Sequence, residues 1–197
     1  MYTGAIILLV GLLACKKEAI LPNDLAPLLS VKNNWKTHTI DSASHFCKKN
    51  DFEPFSTDSL HFIAVFDESA IYTSQNSYNQ SDINKLYGFS DCGTLHHKNS
   101  ARFGWNWQNN ALHIYAYVYS EGARISKEIT SVALGRENTF KIEKKAGQYI
   151  FTVNNLHSTS IQTGCNTRVE GYRLYPYFGG DEKAPHCITI RILDLDF

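Results

Sequence analysis

The chain has 197 residues, and its 19 Lys and Arg residues are balanced by 19 Asp and Glu residues, so the formal net charge is zero. This balance argues against a nucleic-acid-binding protein, which needs a basic face to displace counterions from phosphates. No CxxC or HExxH motif occurs, so no metal site with a recognised ligand spacing is visible. The length, with an aromatic content of 13%, is enough for one domain with a substantial core.

The N-terminus carries a run of ten apolar residues, 5–14, which is too short to cross a bilayer as a helix and has the length of a signal-peptide core. The run ends in Leu12-Leu13-Ala14-Cys15, which resembles the lipobox of bacterial lipoproteins. This resemblance implies cleavage before Cys15 and lipidation of its thiol. We therefore expect a signal peptide over residues 1–14, a lipidated tether over 15–30 and one domain over 31–197. The expected location is the bacterial cell envelope, at the outer membrane, with the leaflet left open.

Most of the remaining sequence alternates with a period of two residues, which is typical of strands. Residues 60–66 are apolar on both faces, as in a central strand. Residues 81–86 begin with a serine that suits an N-cap and predict one short helix, whereas residues 157–160 are interpreted as a polar loop. Further short strands are expected at residues 103–107, 112–119, 129–134, 140–143, 148–154, 172–178 and 187–193. Many short strands predict an all-β fold, an antiparallel sandwich or barrel.

Residues 103–119 predict a β-hairpin with Asn109 and Asn110 as its turn, because Asn tolerates positive φ better than most residues. With that turn, three apolar pairs face each other across the hairpin: Trp107 with Leu112, Trp105 with Ile114, and Phe103 with Ala116. These pairs share a face that suits a protein core. A slip of one residue would destroy this separation of faces, so the sequence fixes the register.

The opposite face of the hairpin carries polar and aromatic side chains: Arg102, Asn106, His113, Tyr115, Tyr117 and Tyr119. Aromatic rings can stack on sugar faces and a guanidinium can pair with a carboxylate, so this face predicts a glycan-binding surface. Gly104, opposite Tyr115, would leave a hollow for the ligand. Arg173 and Tyr175 alternate on a later strand together with Tyr177 and would extend the surface. The alternative is simple packing, since cross-strand aromatic pairs stabilise sheets by about 0.2–1 kcal/mol each.

Two stretches carry a further resemblance: residues 140–155 (FKIEKKAGQYIFTVNN), and residues 177–193 with Gly179-Gly180 before the last strand. They look like the second half of the concanavalin A-like jelly-roll family, which includes lectins, laminin-G-like modules, family 16 glycoside hydrolases and alginate-type polysaccharide lyases. The resemblance implies an antiparallel β-sandwich of jelly-roll type. Residues 96–107 and 172–186 also look like shared blocks of small uncharacterised lipoproteins from Gram-negative bacteria, and these blocks imply no function.

The hydrolases of this family use a Glu-x-Asp-x-x-Glu or Glu-x-Asp-x-Glu strand, and no such run occurs here. The lyases combine Arg, Gln or Asn, His and Tyr on a concave sheet. Arg102, Asn106, His113 and Tyr115 or Tyr117 match those residue types, although their order matches no lyase motif. The enzymatic alternative is therefore a polysaccharide lyase that cleaves a uronate polymer by β-elimination.

Two further sets of residues have possible structural roles. Besides Cys15 there are four cysteines, Cys47, Cys92, Cys165 and Cys187; an even number in an exported chain predicts two disulfides, with three pairings open. Asp181 and Glu182 offer oxygen ligands of the kind that calcium prefers. A solvated turn is the favoured interpretation of these two, so we expect no cofactor.

The sequence thus favours binding over catalysis. The expected protein is an envelope-anchored lipoprotein whose β-sandwich binds glycan on an aromatic sheet face. A third alternative is a non-catalytic accessory subunit of an outer-membrane protein complex, in which an apolar patch contacts an envelope protein partner. No nucleic-acid partner is expected.

Overall fold

The computed structural model describes residues 34–195. The expected signal peptide, the lipidation site at Cys15 and the tether over 15–30 lie outside the described residues. Among the described residues, no helix has the length and apolar character needed to cross a membrane.

The described residues form twelve β-strands and two short 3-10 helices. The strands are β1 Lys36–Ile40, β2 Pro54–Phe55, β3 Ser59–Phe66, β4 Asn84–Ser90, β5 Ser100–Gln108, β6 Ala111–Ser120, β7 Ala123–Val132, β8 Asn138–Lys145, β9 Gln148–Val153, β10 His157–Gln162, β11 Gly171–Leu174 and β12 Ile188–Asp194. The 3-10 helices are Glu68–Ala70 and Ser77–Ser81.

The strands form two six-stranded sheets that enclose one core. The first sheet has the order β1-β12-β3-β8-β9-β10 and the second has the order β2-β11-β4-β5-β6-β7. Every pair of neighbouring strands is antiparallel. The fold is the antiparallel β-sandwich of jelly-roll type that the sequence predicts.

Aromatic side chains join the two sheets. Phe62 of β3 stacks on Phe140 of β8 at 5.2 Å between ring centres, and Phe103 of β5 meets Phe140 edge-on at 5.1 Å. Phe103 also meets Phe151 of β9 edge-on at 5.2 Å. Because Phe103 points inward from the second sheet, its neighbours along β5 point to the outer face of that sheet.

The predicted hairpin register is confirmed pair by pair. Trp107 pairs with Leu112, Trp105 with Ile114 and Phe103 with Ala116. Asn109 and Asn110 form the turn with φ values of 52° and 57°, the left-handed conformation that Asn tolerates.

The helix predicted over residues 81–86 is wrong. Residues from Asn84 onward form strand β4, and the nearby 3-10 helix, Ser77–Ser81, takes Asn76 as its N-cap. Lys85 pairs with Gly104 of β5 on one side and forms an isolated bridge with Tyr177 on the other. Tertiary pairing of the backbone therefore overrides the local helix signal. The loop expected at residues 157–160 is also a strand, β10, which pairs with β9.

The described residues contain one of the two expected disulfides, Cys92–Cys165. Cys47 is a buried thiol and Cys187 an exposed one. The Cys47 thiol donates to the carbonyl of Lys49 at 2.8 Å, so it is satisfied without a partner cysteine.

Candidate functional site

The outer face of the second sheet carries a cluster of cationic and phenolic side chains. The register places Arg102 of β5 between Gly88 of β4 and Tyr117 of β6, and Tyr117 beside Ser126 of β7. Four tyrosines lie close enough to Arg102 to raise the pKa of its guanidinium, in opposition to burial. Lys85 is also near enough for the two positive charges to repel each other. We call the set the Arg102 cluster; its members are Lys85, Arg102, Tyr117, Tyr119, Tyr172 and Tyr177.

Arg102 is the central residue of the cluster and is only 6% exposed. Gly88 makes room for it, since a Cβ at Gly88 would lie 2.6 Å from Arg102 Cγ. The guanidinium carbon lies 5.6 Å from the centre of the Tyr117 ring. Burial lowers the pKa of this guanidinium, and its Nε is buried with no hydrogen-bond partner among the described residues.

Lys85 is a second buried cation in the cluster. Its Nζ donates to the carbonyl of Ile83 at 2.7 Å and lies 4.8 Å from the centre of the Tyr117 ring. Burial lowers the pKa of the Lys85 ammonium to about 8, and the positive charges of Arg102 and Arg124 contribute to the same shift. Asp82 acts in the opposite direction.

The cations of this face are not ion-paired within the described residues, and Asp82 lines the same pocket as Lys85 and Arg124. Within residues 34–195, Lys85, Arg102 and Arg124 form no ion pair with any Asp or Glu. Burial, followed by the hydrogen bond with Tyr119, raises the pKa of Tyr117 to about 12, so this phenol carries no charge at neutral pH. The cluster therefore presents net positive charge.

A pocket of about 250 Å³ opens beside Tyr117. Its lining residues are Ser81, Asp82, Ile83, Lys85, Tyr117, Arg124, Ser126 and Gly180. Ile83 and Gly180 belong to segments that lie over the sheet, so they form one wall of the site.

Two histidines contact tyrosines of the Arg102 cluster. The loop between β4 and β5 carries His96, whose Nδ1 lies 2.8 Å from the Tyr172 hydroxyl, and His97, whose ring meets Tyr119 edge-on at 5.4 Å. Burial lowers the pKa of His96 to about 4, with contributions from Arg102 and His97. His96 is therefore a neutral imidazole at neutral pH, and it adds no charge to the cluster.

Three of the predicted site residues lie on the same face but are used in internal hydrogen bonds. Asn106 donates to the carbonyl of Ser81 at 3.1 Å and accepts from the Tyr115 hydroxyl at 3.2 Å. His113 Nδ1 contacts Glu128 at 2.7 Å. The hollow expected over Gly104 is filled, because a Cβ at Gly104 would lie 2.4 Å from Ile83 Cγ2. Of the predicted face, Arg102, Tyr117 and Tyr119 remain in the cluster.

Arg173 and Tyr175 are not on the face of the Arg102 cluster. Arg173 contacts Glu53 at 3.2 Å and, through Nη1, lies 3.5 Å from Asp194 of the first sheet. The Tyr175 hydroxyl donates to Glu53 at 2.8 Å. Both side chains point toward the first sheet, at the edge of the core.

Glu182 has a structural role in the fold. Its carboxylate accepts from the backbone N–H groups of Gln75 and Asn76, both at 2.8 Å, and from Asn79 Nδ2 at 2.9 Å. The Asn76 and Gln75 hydrogen bonds lower the pKa of this carboxyl. Asp181 and Glu182 belong to no group of three metal-ligating side chains among the described residues.

Sequence reasoning missed Lys85, Tyr172 and Arg124 as members of the site or its pocket, and it included Tyr177 only as a neighbour of Arg173 and Tyr175 on one strand. Lys85 lies within residues 81–86, where the sequence predicted a helix, so it was not placed on a sheet face. Strict alternation along residues 172–178 groups Tyr177 with Arg173 and Tyr175, but strand β11 ends at Leu174. The chain then returns Tyr177 to the outer face, beside Lys85.

Comparison with solved structures gives neighbours in fold. No protein-family model and no curated protein sequence match the chain. The alginate lyase AlyC3 is 12% identical, with 82% of this chain and 73% of that chain covered at a TM-score of 0.57. Its complex with dimannuronate is 12% identical, with 84% and 77% covered at a TM-score of 0.54. The alginate lyase from Klebsiella pneumoniae is 9% identical, with 68% and 57% covered at a TM-score of 0.52.

At these identities the likeness concerns the fold alone. The chain is an antiparallel jelly-roll sandwich whose structural neighbours include proteins that act on glycans.

Proposed function

We propose that the Arg102 cluster binds an acidic glycan. The observation that carries the proposal is the Arg102 guanidinium, which is buried, has no carboxylate partner within the described residues and holds Nε without an acceptor. An unpaired buried cation is costly. Such an arrangement is expected where the ligand supplies the anion.

The surroundings of Arg102 suit a sugar that carries a carboxylate. A guanidinium pairs with a carboxylate in a bidentate geometry, and the Tyr117 and Tyr119 rings offer apolar faces with hydroxyl tips. The pocket of about 250 Å³ is slightly below the range of about 300–1,000 Å³ that drug-sized ligands occupy. It suits one sugar unit.

The proposal includes attachment to the bacterial envelope at the outer membrane through a lipid on Cys15. The lipobox-like residues before Cys15 support it. Incorporation of labelled fatty acid into the wild-type protein, and its loss in Cys15→Ala, is the expected result. Equal labelling of both proteins would contradict the anchor.

The experiment compares acidic and neutral oligosaccharides by titration calorimetry with the full-chain protein. We expect the wild type to bind uronate or sulfated oligosaccharides in preference to neutral ones. Arg102→Met should weaken that binding at least about 100-fold, which corresponds to about 2.7 kcal/mol. Arg168→Met is the matched control, because the Arg168 side chain is 86% exposed, and it should bind as the wild type does. Preference for neutral glycans, no binding at all, or full affinity in Arg102→Met would contradict the proposal.

A second candidate function is β-elimination on a uronate polymer. The specific observation in its favour is that Arg102 and Lys85 converge on the Tyr117 ring, at 5.6 and 4.8 Å. A cation that neutralises the uronate carboxylate acidifies the neighbouring C–H, and a base that removes this proton expels the glycosidic oxygen and leaves a carbon–carbon double bond. Lys85, with its pKa lowered to about 8, suits the base better than Tyr117, because a base works best near the operating pH.

The two candidates differ in their product. Ultraviolet absorbance from an unsaturated uronate, present with the wild type and lost in Lys85→Met, would establish the lyase. Binding without any rise in absorbance would establish a binding module.

A further inference from the structure

We propose that the Cys92–Cys165 disulfide is a thiol–disulfide exchange site, which a dithiol reductant opens by attack on Cys92 with release of Cys165 as the thiolate. The proposal goes beyond glycan binding and does not depend on it. It rests on the unequal surroundings of the two sulfurs.

Cys165 Sγ lies within hydrogen-bond distance of two donors. Lys144 Nζ is 3.2 Å away and the Thr167 hydroxyl is 3.4 Å away. No described residue donates a hydrogen bond to Cys92 Sγ. A neighbouring ammonium lowers the pKa of a cysteine thiol, and the sulfur with the lower thiol pKa leaves faster in disulfide exchange. The Asp91 carboxylate lies within 4.8 Å of both sulfurs and acts on both, whereas the two donors contact Cys165 alone and make it the leaving group.

Lys144 is held in place beside the sulfur. Its side chain is 5% exposed, and its ammonium pairs with Asp91 at 2.5 Å. Asp91 is itself fully buried, and it also accepts from the Tyr149 hydroxyl at 2.5 Å and from the backbone N–H of Cys92 at 2.6 Å. The ammonium therefore cannot turn away into solvent while this network is intact.

Cys92 suits the role of the attacked sulfur. Its residue is only half-buried and precedes the exposed Gly93, so a reductant can approach it. Its backbone is also in the left-handed region, with φ of 59°, where a residue other than Gly, Asn or Asp is uncommon and strained.

The exchange takes place in two balanced steps. A thiolate of the dithiol attacks Cys92 Sγ, the Cys92–Cys165 bond breaks, and Cys165 leaves as a thiolate beside Lys144. The second thiol of the reductant then loses its proton and attacks its own mixed disulfide, which releases Cys92 as a thiolate that takes up a proton. The protein gains two electrons and the reductant becomes a cyclic disulfide.

Opening the bond has a structural consequence near the Arg102 cluster. The disulfide ties the loop between β4 and β5, which carries His96 and His97, to the loop before β11. After reduction, the backbone bond from the Gly93 N–H to the carbonyl of Glu170, at 2.8 Å, remains as a direct tie. We expect faster hydrogen exchange at the amides of residues 92–99 in the reduced protein.

The first test measures the redox equilibrium of the full-chain protein in dithiothreitol buffers, read by alkylation and mass spectrometry. Lys144→Met should make the disulfide about tenfold harder to reduce, a shift of about 30 mV for two electrons. Lys145→Met, at the exposed neighbouring lysine, is the matched control and should not change the equilibrium. Thr167→Val should also make the disulfide harder to reduce, by about twofold to threefold. This variant tests the proposal if Lys144→Met does not fold.

The second test finds which sulfur is attacked. Glutathione is added with an alkylating agent, and peptide mapping separates the products from the Cys47 and Cys187 thiols. We expect glutathione on Cys92 and the alkyl group on Cys165. Glutathione mainly on Cys165, or an equilibrium in Lys144→Met and Thr167→Val equal to that of Lys145→Met, would overturn the proposal.

Discussion

Arg102, which is buried, and Arg173, which is partly buried, lie on the same sheet, and their surroundings are opposite in character. Arg173 lies toward the first sheet, with two carboxylates in contact and the Phe55 and Tyr87 rings at 5.0 and 5.2 Å. Arg102 lies on the outer face, and within residues 34–195 its neighbours include aromatic rings and cations but no paired acid.

The pKa values follow this difference. Burial opposes the charge of both guanidinium groups, but the neighbours of Arg173, which include Tyr87, Asp194 and Glu53, raise its pKa above the ordinary value. The pKa of Arg102 is lowered. An arginine in contact with two carboxylates stabilises the fold, whereas a buried arginine without a carboxylate marks a place where a ligand can supply one.

The largest expected effect is on stability at Arg173. Arg173→Met leaves Glu53 and Asp194 without their cation, and breaking a fully buried ion pair in this way costs about 3–5 kcal/mol. Because the Glu53 side chain is 44% exposed, we expect a smaller loss, about 2–3 kcal/mol of unfolding free energy. Urea denaturation measures it.

The matched control is Arg102→Met. Replacing an unpaired buried cation with an apolar side chain is expected to leave the unfolding free energy unchanged or to raise it by about 1 kcal/mol. Equal destabilisation by both substitutions would show that Arg102 is also structural and would remove the distinction.

The interior around Arg173 also predicts how stability depends on pH. His38, which is 1% exposed and 5.7 Å from the Tyr175 ring, has its pKa lowered to about 4 by burial, followed by the positive charge of Lys36. Between about pH 4 and 6.5 the unfolded chain binds more protons at this residue than the folded one, so stability falls as the pH falls through this window. We expect a loss of about 2 kcal/mol from His38 between pH 6.5 and about pH 5.

Denaturation at several pH values checks this expectation, with His38→Phe as the comparison variant. The change in unfolding free energy per pH unit should be smaller in His38→Phe than in the wild type. The difference should approach the value for one bound proton, about 1.4 kcal/mol per pH unit. His96 contributes a slope of the same sign, so the variant keeps part of the dependence. An unchanged slope would contradict the role of His38.

The smallest expected effect is on the affinity for an acidic ligand, and it concerns Lys85, a member of the Arg102 cluster. Lys85 attracts an acidic ligand only when it is protonated, and its pKa in the free protein is about 8. We therefore expect affinity for an acidic oligosaccharide to be constant below about pH 8 and to fall by at most about tenfold per pH unit above it. Calorimetric titration between pH 7 and 10 measures this fall, which should be absent in Lys85→Met. If the affinity still falls above pH 8 in Lys85→Met, a titrating group other than Lys85 causes the fall.

The central hairpin of the second sheet, β5 and β6, could be predicted from the sequence, because neighbouring residues determine it. The alternation of residues 103–119, with Asn109-Asn110 between the halves, specifies both the hairpin register and the outward direction of Arg102 and Tyr117. A period of two residues and a two-residue turn are local properties, so no distant contact was needed to find them.

The neighbours of each outward side chain depended on tertiary structure. Ile83 covers Gly104, and the segment around Ser81 engages Asn106, although both come from a stretch in which the sequence predicted a helix. Burial of Arg102 without an acid, and pairing of Arg173 with Glu53, 120 positions away, are likewise invisible to local pattern. The sequence by itself determined an all-β fold, a sandwich or a barrel, and the two faces of the hairpin, because side-chain direction repeats along a strand. Only the tertiary structure decided which polar side chains are satisfied and which remain free for a ligand, because partners come from segments far apart in the chain.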